Sequence, residues 1–240
     1  MRKTRMMVVL GLVGTTLGAC GDDDAKKATL KIGMINPQNG GLAGYGPAME
    51  NGARLAVSQI NAAGGLLGKD VELVVRDSAS DPTVSRAAAT ALVDEGVPVI
   101  IGAAGSGNTL AAAEVTVPAH VVQISGASTS PALTTVADDD FLFRTVVTDE
   151  PQALVLAQKI YDDGWRNLAI LYIDNSYGVN LGTKLASSFE ALGGTLTMLG
   201  TSEAAVLGWC SPARAAPVGA HITQAIVLRA LRRVELPASE

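Results

Sequence analysis

Between residues 29 and 199 the hydrophobic positions switch repeatedly between two patterns, short apolar or alternating runs and stretches spaced by three and four residues. Thr29 to Asn36 (TLKIGMIN) alternates apolar with polar residues, as a half-buried strand does. A glycine-rich loop, Pro37 to Gly46, follows. Pro47 suits the first turn of a helix, and Met49, Ala53, Ala56 and Ile60 share one of its faces. Gly64-Gly65 ends it, because glycine takes the left-handed stop at least cost. Val71 to Asp77 reads as a second strand. Asp81-Pro82 sets an N-cap acceptor before a proline and predicts a helix to about Glu95, stopped at Gly96. Pro98 to Gly102 (PVIIG) is a short apolar run of the kind found in a strand covered on both faces, and a helix over roughly Asn108 to Val117 follows it.

Further strands are predicted at Val121 to Ser125 and Phe141 to Val146, with a serine- and threonine-rich segment between them. Asp149-Glu150-Pro151 opens a helix to about Asp163, Leu168 to Ile173 is a buried strand, and Tyr177 to Leu192 is another helix. Gly193-Gly194 closes that helix before a strand over Thr195 to Leu199. This alternation implies an α/β fold with right-handed crossovers, a parallel sheet and helices on both of its faces. Ligands of such sheets sit at the carboxyl ends of the strands, which directs attention to loops 37–46, 103–108, 126–130 and 174–177. After Gly200 the alternation stops. Residues 201–240 carry Trp209, Cys210, several prolines and the arginine-rich stretch Arg229 to Arg233, with no strand-like run; Ile222 to Val234 could form a helix by itself. This tail is what a shifted reading frame would produce, or a short variant whose end docks as a helix.

The first twenty residues change the picture of where the chain works. Arg2, Lys3 and Arg5 precede the apolar run Met6 to Leu12, and small residues lead to Cys20, the layout of an export signal. The run is too short to span a bilayer permanently. Leu17-Gly18-Ala19-Cys20 resembles the bacterial lipobox, which implies acylation of Cys20 and a lipid anchor in the membrane, with Asp22 to Asp24 in a solvated tether. That use of Cys20 leaves Cys210 without a disulfide partner in the chain. At 48% hydrophobic and 4% aromatic the composition supports a buried core of closely packed helices on a sheet. Removing the basic leader makes the net charge more negative than the full chain's −5, and no basic patch appears, so nucleic acid is not an expected partner.

Candidate chemistry is mostly eliminated. Gly102 to Thr109 approaches the phosphate-binding loop spacing, but Asn108 stands where the lysine belongs. His120, before a buried strand, and His221, in the tail, have no cysteine or acid at metal-ligand spacing. Ser125-Gly126-Ala127 lacks the glycine pattern of a hydrolase elbow, and Asp138 to Asp140 reads as an exposed turn. A binding module needs fewer assumptions than an enzyme; no metal or cofactor is implied.

Five stretches in order carry a resemblance. They are Lys31 to Pro37 with Gly44-Tyr45-Gly46 and Asn51-Gly52-Ala53; Gln59 to Gly65 with Gly68-Lys69; Ile124-Ser125 through Ser130-Pro131-Ala132-Leu133; Phe143-Arg144-Thr145; and Asn175-Ser176-Tyr177-Gly178. Together they resemble the leucine/isoleucine/valine-binding family, the type I periplasmic binding proteins of branched-chain amino-acid ABC transporters. The resemblance implies two α/β lobes joined by three crossing segments, with ligand held in the cleft between them. On that basis residues 1–20 are signal, 21–28 tether, 29–145 the first lobe, 146–200 an incomplete second lobe and 201–240 an atypical tail, with Arg144 to Asp149 as the first crossing.

The resemblance also assigns roles. The hydroxyls of Ser106 and Thr129 match positions that bind a ligand carboxylate, Ala127 matches a backbone contact to the ligand amine with Ser128 in the same loop, and Tyr45 and Tyr177 match aromatic walls of the cleft. Hydroxyls and free N–H groups at a helix start do make an anion site. The bland alternatives are that the serine and threonine cap helices and that Tyr177 packs on its own lobe. The sequence Gly126-Ala-Ser-Thr129 departs from relatives that place a proline after the first serine, which leaves the loop's path open. The implied function is that of a lipid-anchored, periplasmic or cell-surface solute-binding protein, not an enzyme. It would capture an amino acid or similar small polar metabolite and present it to ABC permease subunits. A sensor lobe acting on a partner, or a nonfunctional fragment, are the alternatives.

Overall fold

The computed structural model describes residues 29–202 and the backbone of 207–212. The expectations for the export segment, Cys20, the tether, His221 and a helix over 222–234 fall outside the described residues.

The first lobe runs β1 (Thr29–Asn36), α1 (Gly46–Ala62), β2 (Asp70–Asp77), α2 (Pro82–Asp94), β3 (Val99–Ile101), α3 (Ser106–Thr116), β4 (Val122–Ser125), a one-turn α4 (Ala132–Thr135) and β5 (Leu142–Arg144). Its five strands lie in the order β2-β1-β3-β4-β5, all parallel. β5 is shorter than the expected 141–146, and α3 starts two residues before Asn108.

One sheet face packs against α2 and α3. Ile35 and Ile100 meet Ala88, Ala89, Leu92 and Ala112 there, all buried. Small alanines let these helices lie close to the sheet, and Gly33 matters for the same reason: a Cβ at that position would stand 3.0 Å from both Leu92 and Ile100. Asp81 caps α2 as expected, its carboxylate accepting from the N–H of Thr83 at 2.7 Å and of Val84 at 3.0 Å. The buried Gln123 is fully used: its Oε1 accepts from the Thr116 hydroxyl, and its Nε2 donates to the carbonyls of Gly102 and Thr109. The site-bearing ends of β3, β4 and α3 are thereby fixed to one another.

On the opposite face α1 covers β1 and β2, anchored by Asn36 Nδ2 to the Gly46 carbonyl (3.0 Å) and by Asn61 to both backbone groups of Val71. The inward side of α1 is rotated from the expected one: Met49, Ala53, Val57 and Ile60 are half-buried, while Ala56 is exposed. Val99, Ile101, Val122 and Ile124 on this face are only half-buried and Phe143 is 46% exposed. Helices do lie on both faces, but among the described residues the second face is covered by a helix over β1 and β2 only.

The second lobe runs α5 (Asp149–Asp162), β6 (Trp165–Ile173), α6 (Ser176–Ala191), β7 (Thr195–Ser202) and β8 (Leu207–Pro212). Leu168 and Ile170 of β6 pack with Ala153 and Ala157 of α5 and with Leu181, Leu185 and Phe189 of α6. Phe189 is wholly buried, a burial that contributes roughly 1.5–3 kcal/mol. Two expectations are corrected here. β7 continues past Leu199 to Ser202, and β8 adds a strand in a stretch whose sequence gave no strand signal. β8 pairs antiparallel with β6, on the side away from β7, so the smaller sheet is mixed rather than parallel. An edge strand is held by backbone pairing to one neighbour and tolerates a terminal proline such as Pro212, so LGWCSP needs no β-branched run to form it.

Candidate functional site

The carboxyl ends of β3 and β4 carry the loops that hold the first lobe's candidate residues. α3 starts at Ser106, and its N-cap is Gly105, which has no side chain to satisfy the helix's first N–H groups. Those donors and the helix dipole therefore favour an anion beside the Ser106 hydroxyl. Ser106 is buried, and its Oγ accepts from the N–H of Ser130 at 3.2 Å. This bond joins the α3 loop to the Ser125–Pro131 loop, so Ser106 and Thr129 are set on one side of the molecule. Neither is a helix cap, since the caps of α3 and α4 are Gly105 and Pro131.

Within the second loop the candidates differ. The Ser128 hydroxyl points inward, 2.6 Å from Thr109 Oγ1, and donates to the carbonyls of Ala103 and Ala104; its N–H is held by Ser125 Oγ at 3.1 Å. Ser128 shapes the loop from beneath, with both polar groups already engaged. The N–H of Ala127 makes a long bond to Ser125 Oγ (3.4 Å), and its carbonyl accepts no hydrogen bond among the described residues. Thr129 is half-buried, and its carbonyl accepts the N–H of Asp149 at 2.9 Å.

Tyr45, 66% exposed, precedes α1. Its loop is held by Asp77, whose carboxylate accepts from the N–H groups of Gln38, Asn39 and Ala79 and from the Asn39 side chain. Burial pushes the Asp77 carboxyl up, but these hydrogen bonds together hold it below the ordinary value. From the other lobe, Asn175 caps α6 and so orients Tyr177, which is half-buried. Burial raises the Tyr177 phenol, Asp149 and Tyr45 push it the same way, and a hydrogen bond with Gln152 opposes them. Tyr45, Tyr177 and Asp149 thus share one electrostatic neighbourhood.

Asp149 was legible only as a helix start. The structure closes it from solvent, 1% exposed, and neither carboxylate oxygen has a hydrogen-bond partner among the described residues. Desolvation raises its pKa above the ordinary value, while the neighbouring Thr129 hydroxyl, which stops short of a full hydrogen bond, and the Arg144 guanidinium draw it back. A buried acceptor pair that makes no full hydrogen bond among the described residues, beside two tyrosines and a hydroxyl loop, is suited to an ammonium group. Elsewhere the described residues leave a shallow groove of about 490 Å³ between α5 and α6, lined by Leu154, Val155, Lys184, Ser187 and Ala191, which touches none of the candidates. His120 stacks on Phe141 at 5.0 Å and serves packing.

A match to the family described as periplasmic binding protein covers residues 29–207. The chain belongs to the periplasmic binding protein family. Within this family it is a type I protein of the leucine/isoleucine/valine-binding group. It is 30% identical over 195 residues to the leucine-, isoleucine-, valine-, threonine- and alanine-binding protein of Pseudomonas aeruginosa, a match covering 80% of this chain and 50% of that one. The branched-chain amino acid transporter substrate-binding protein of Streptococcus pneumoniae, solved with isoleucine, superimposes with a TM-score of 0.65 at 32% identity, over 72% of this chain and 49% of that one. A solute-binding protein of an ABC transporter from Rhodopseudomonas palustris, solved with 3,4-dihydroxybenzoic acid, gives 0.65 at 26% identity, over 72% and 47%. The periplasmic binding protein chain described here spans about half the length of the relatives it matches.

Proposed function

We propose that this chain is an extracytoplasmic solute-binding lipoprotein of an ABC transporter, anchored through Cys20, that takes a small zwitterion between its lobes and presents it to permease subunits. The observation that carries this reading is the convergence of three unlike groups: the uncapped start of α3 with the Ser106 hydroxyl, the Ala127–Thr129 backbone and hydroxyl, and the unpartnered carboxylate of Asp149. The first two suit a carboxylate and the third an ammonium, which favours an amino acid over a benzoate. Tyr45 and Tyr177 supply apolar walls for its side chain. Lobe closure would follow from contacts the ligand makes to both lobes at once.

The test is a comparison of L-leucine, L-isoleucine and 4-hydroxybenzoate in calorimetric titrations of the chain and of its Asp149→Asn variant. The reading expects heat from the amino acids only, and its loss in the variant; a response to the benzoate alone would overturn it. For the anchor, Cys20→Ser should move the expressed protein from the membrane to the soluble fraction. Unchanged membrane retention would remove the lipoprotein assignment.

A further inference from the structure

Two side chains of α6 reach from the second lobe to the candidate ligand loop of the first, and the shorter bond is made by Asn180. Asn180 lies in the first turns of α6, and its Nδ2 donates to Ser130 Oγ at 2.9 Å and to the Ser176 carbonyl at 2.6 Å. The Ser176 hydroxyl also donates to Ser130 Oγ, at 3.3 Å. Ser130 is fully buried and tied on every other side: its N–H to Ser106 Oγ at 3.2 Å, its carbonyl to Arg144 Nη1 at 2.8 Å, and its Oγ to the N–H of Ala132 at 3.3 Å. Around one serine meet the α3 start, the ligand loop, the first crossing and α6.

We propose that Asn180 is a positioning residue, the strap through which the second lobe holds the Ser125–Pro131 loop in its present shape. The inference deepens the binding role proposed above and rests on it for its purpose. Ser130 directly follows Thr129 and shares a peptide with it, so displacing the Ser130 hydroxyl turns the Thr129 backbone and with it the Thr129 hydroxyl. α6 cannot move away from α3 without breaking the 2.9 Å bond or carrying Ser130 with it. Loop shape and lobe arrangement are therefore one equilibrium, and a ligand that favours one state of the loop favours the matching state of the lobes. The amide is well placed for this: its second bond, to Ser176 within the same helix, fixes the direction in which it reaches across. A carboxylate at position 180 would face the Ser176 carbonyl acceptor to acceptor and could keep Ser130 only by taking that hydroxyl's proton as donor, which loses the second bond that fixes its direction.

The experiment is ligand-free amide exchange on the full chain, with Asn180→Ala, Asn180→Asp, Ser130→Ala and the Asn180→Ala/Ser130→Ala pair. Loss of one buried hydrogen bond should speed exchange at the Ser128, Ser130 and Asp149 amides by about three- to tenfold. Helical amides such as Leu92 and Ala112 should be unchanged, and Asn180→Asp should also speed loop exchange, since its carboxylate cannot bond the Ser176 carbonyl. The pair should exchange no faster than Ser130→Ala alone, because both changes remove the same bond. Unchanged loop exchange in Asn180→Ala, fully additive effects, or equal acceleration throughout both lobes would overturn the strap. L-leucine titration of the same samples keeps the two readings apart: an unresponsive parent chain counts against the binding role, whereas the exchange data judge the strap without ligand.

Discussion

The backbone N–H of Asp149 donates to the carbonyl of Thr129 at 2.9 Å, tying the first residue of α5 to the loop that carries the candidate hydroxyls. The bond fixes the backbone of Asp149 while its carboxylate, closed from solvent, makes no full hydrogen bond among the described residues. An arrangement that holds an unpaired acid in place costs stability and makes sense where a ligand supplies the missing donor.

Asp149→Asn should therefore stabilise the ligand-free chain at pH 7. The folded-state pKa of Asp149 is raised above 3.8, so the folded chain binds the proton more tightly than the unfolded one. The favourable contribution of that proton is complete below 3.8 and is lost as pH rises through the raised value. Urea unfolding across pH should show the variant's advantage at neutral pH fading in acid; an advantage that grows in acid contradicts the sign.

Asp77 should behave in the opposite sense. Its folded-state pKa lies below 3.8, so its stabilising hydrogen bonds are present above that value and lost as pH falls through the lowered one. Asp77→Asn should speed amide exchange at Gln38 and Asn39, which donate to the carboxylate, and loosen the loop leading to Tyr45. Wild-type protection of these two amides, taken relative to the intrinsic exchange rate at each pH, should fall only in acid.

Gly178→Ala tests the second lobe. A Cβ there would stand 2.1 Å from the Ile173 carbonyl and 2.5 Å from its Cγ2, so backbone must shift, at a cost of about 3 kcal/mol. Trp165 lies in β6 of the second lobe's sheet and is half-buried, and the chain's other tryptophan, Trp209, belongs to β8, so intrinsic tryptophan fluorescence follows the unfolding of this sheet. Its urea transition should move to lower denaturant while amide exchange in α2 and α3 is unchanged.

Most of the first lobe was readable because its signals are local. Asp81-Pro82 and Gly96 each decide a boundary with their own chemistry, and the structure places them accordingly; β1 keeps its expected bounds, but its burial does not alternate, Gly33 to Asn36 being buried on both faces between β2 and β3. β8 was not readable, since an edge strand draws on its neighbour's backbone and LGWCSP carries no period of its own. The candidate hydroxyls could be named from the resemblance, and their convergence follows from parallel strands ending on one side. What no pattern showed is how each polar group is used: that Ser128 turns inward, that the Asp149 carboxylate makes no full hydrogen bond among the described residues, or that Asn180 bridges to a serine fifty positions away. Those facts depend on contacts between distant segments.

The central claim is that these loops form the wall of a site for a zwitterion. Three charge-assisted bonds at the upper figure of about 3 kcal/mol each total about 9 kcal/mol, and an association cost of about 5 kcal/mol leaves about −4 kcal/mol, so a millimolar complex is the tightest these contacts support. Nitrogen-edited NMR titration of the chain with L-leucine tests this most directly. The account predicts saturable shifts at the amides of Ser106 to Asn108 and Ala127 to Ser130, together with Asp149 and Tyr177. No shift at tens of millimolar ligand, or shifts confined to the groove between α5 and α6, would contradict it.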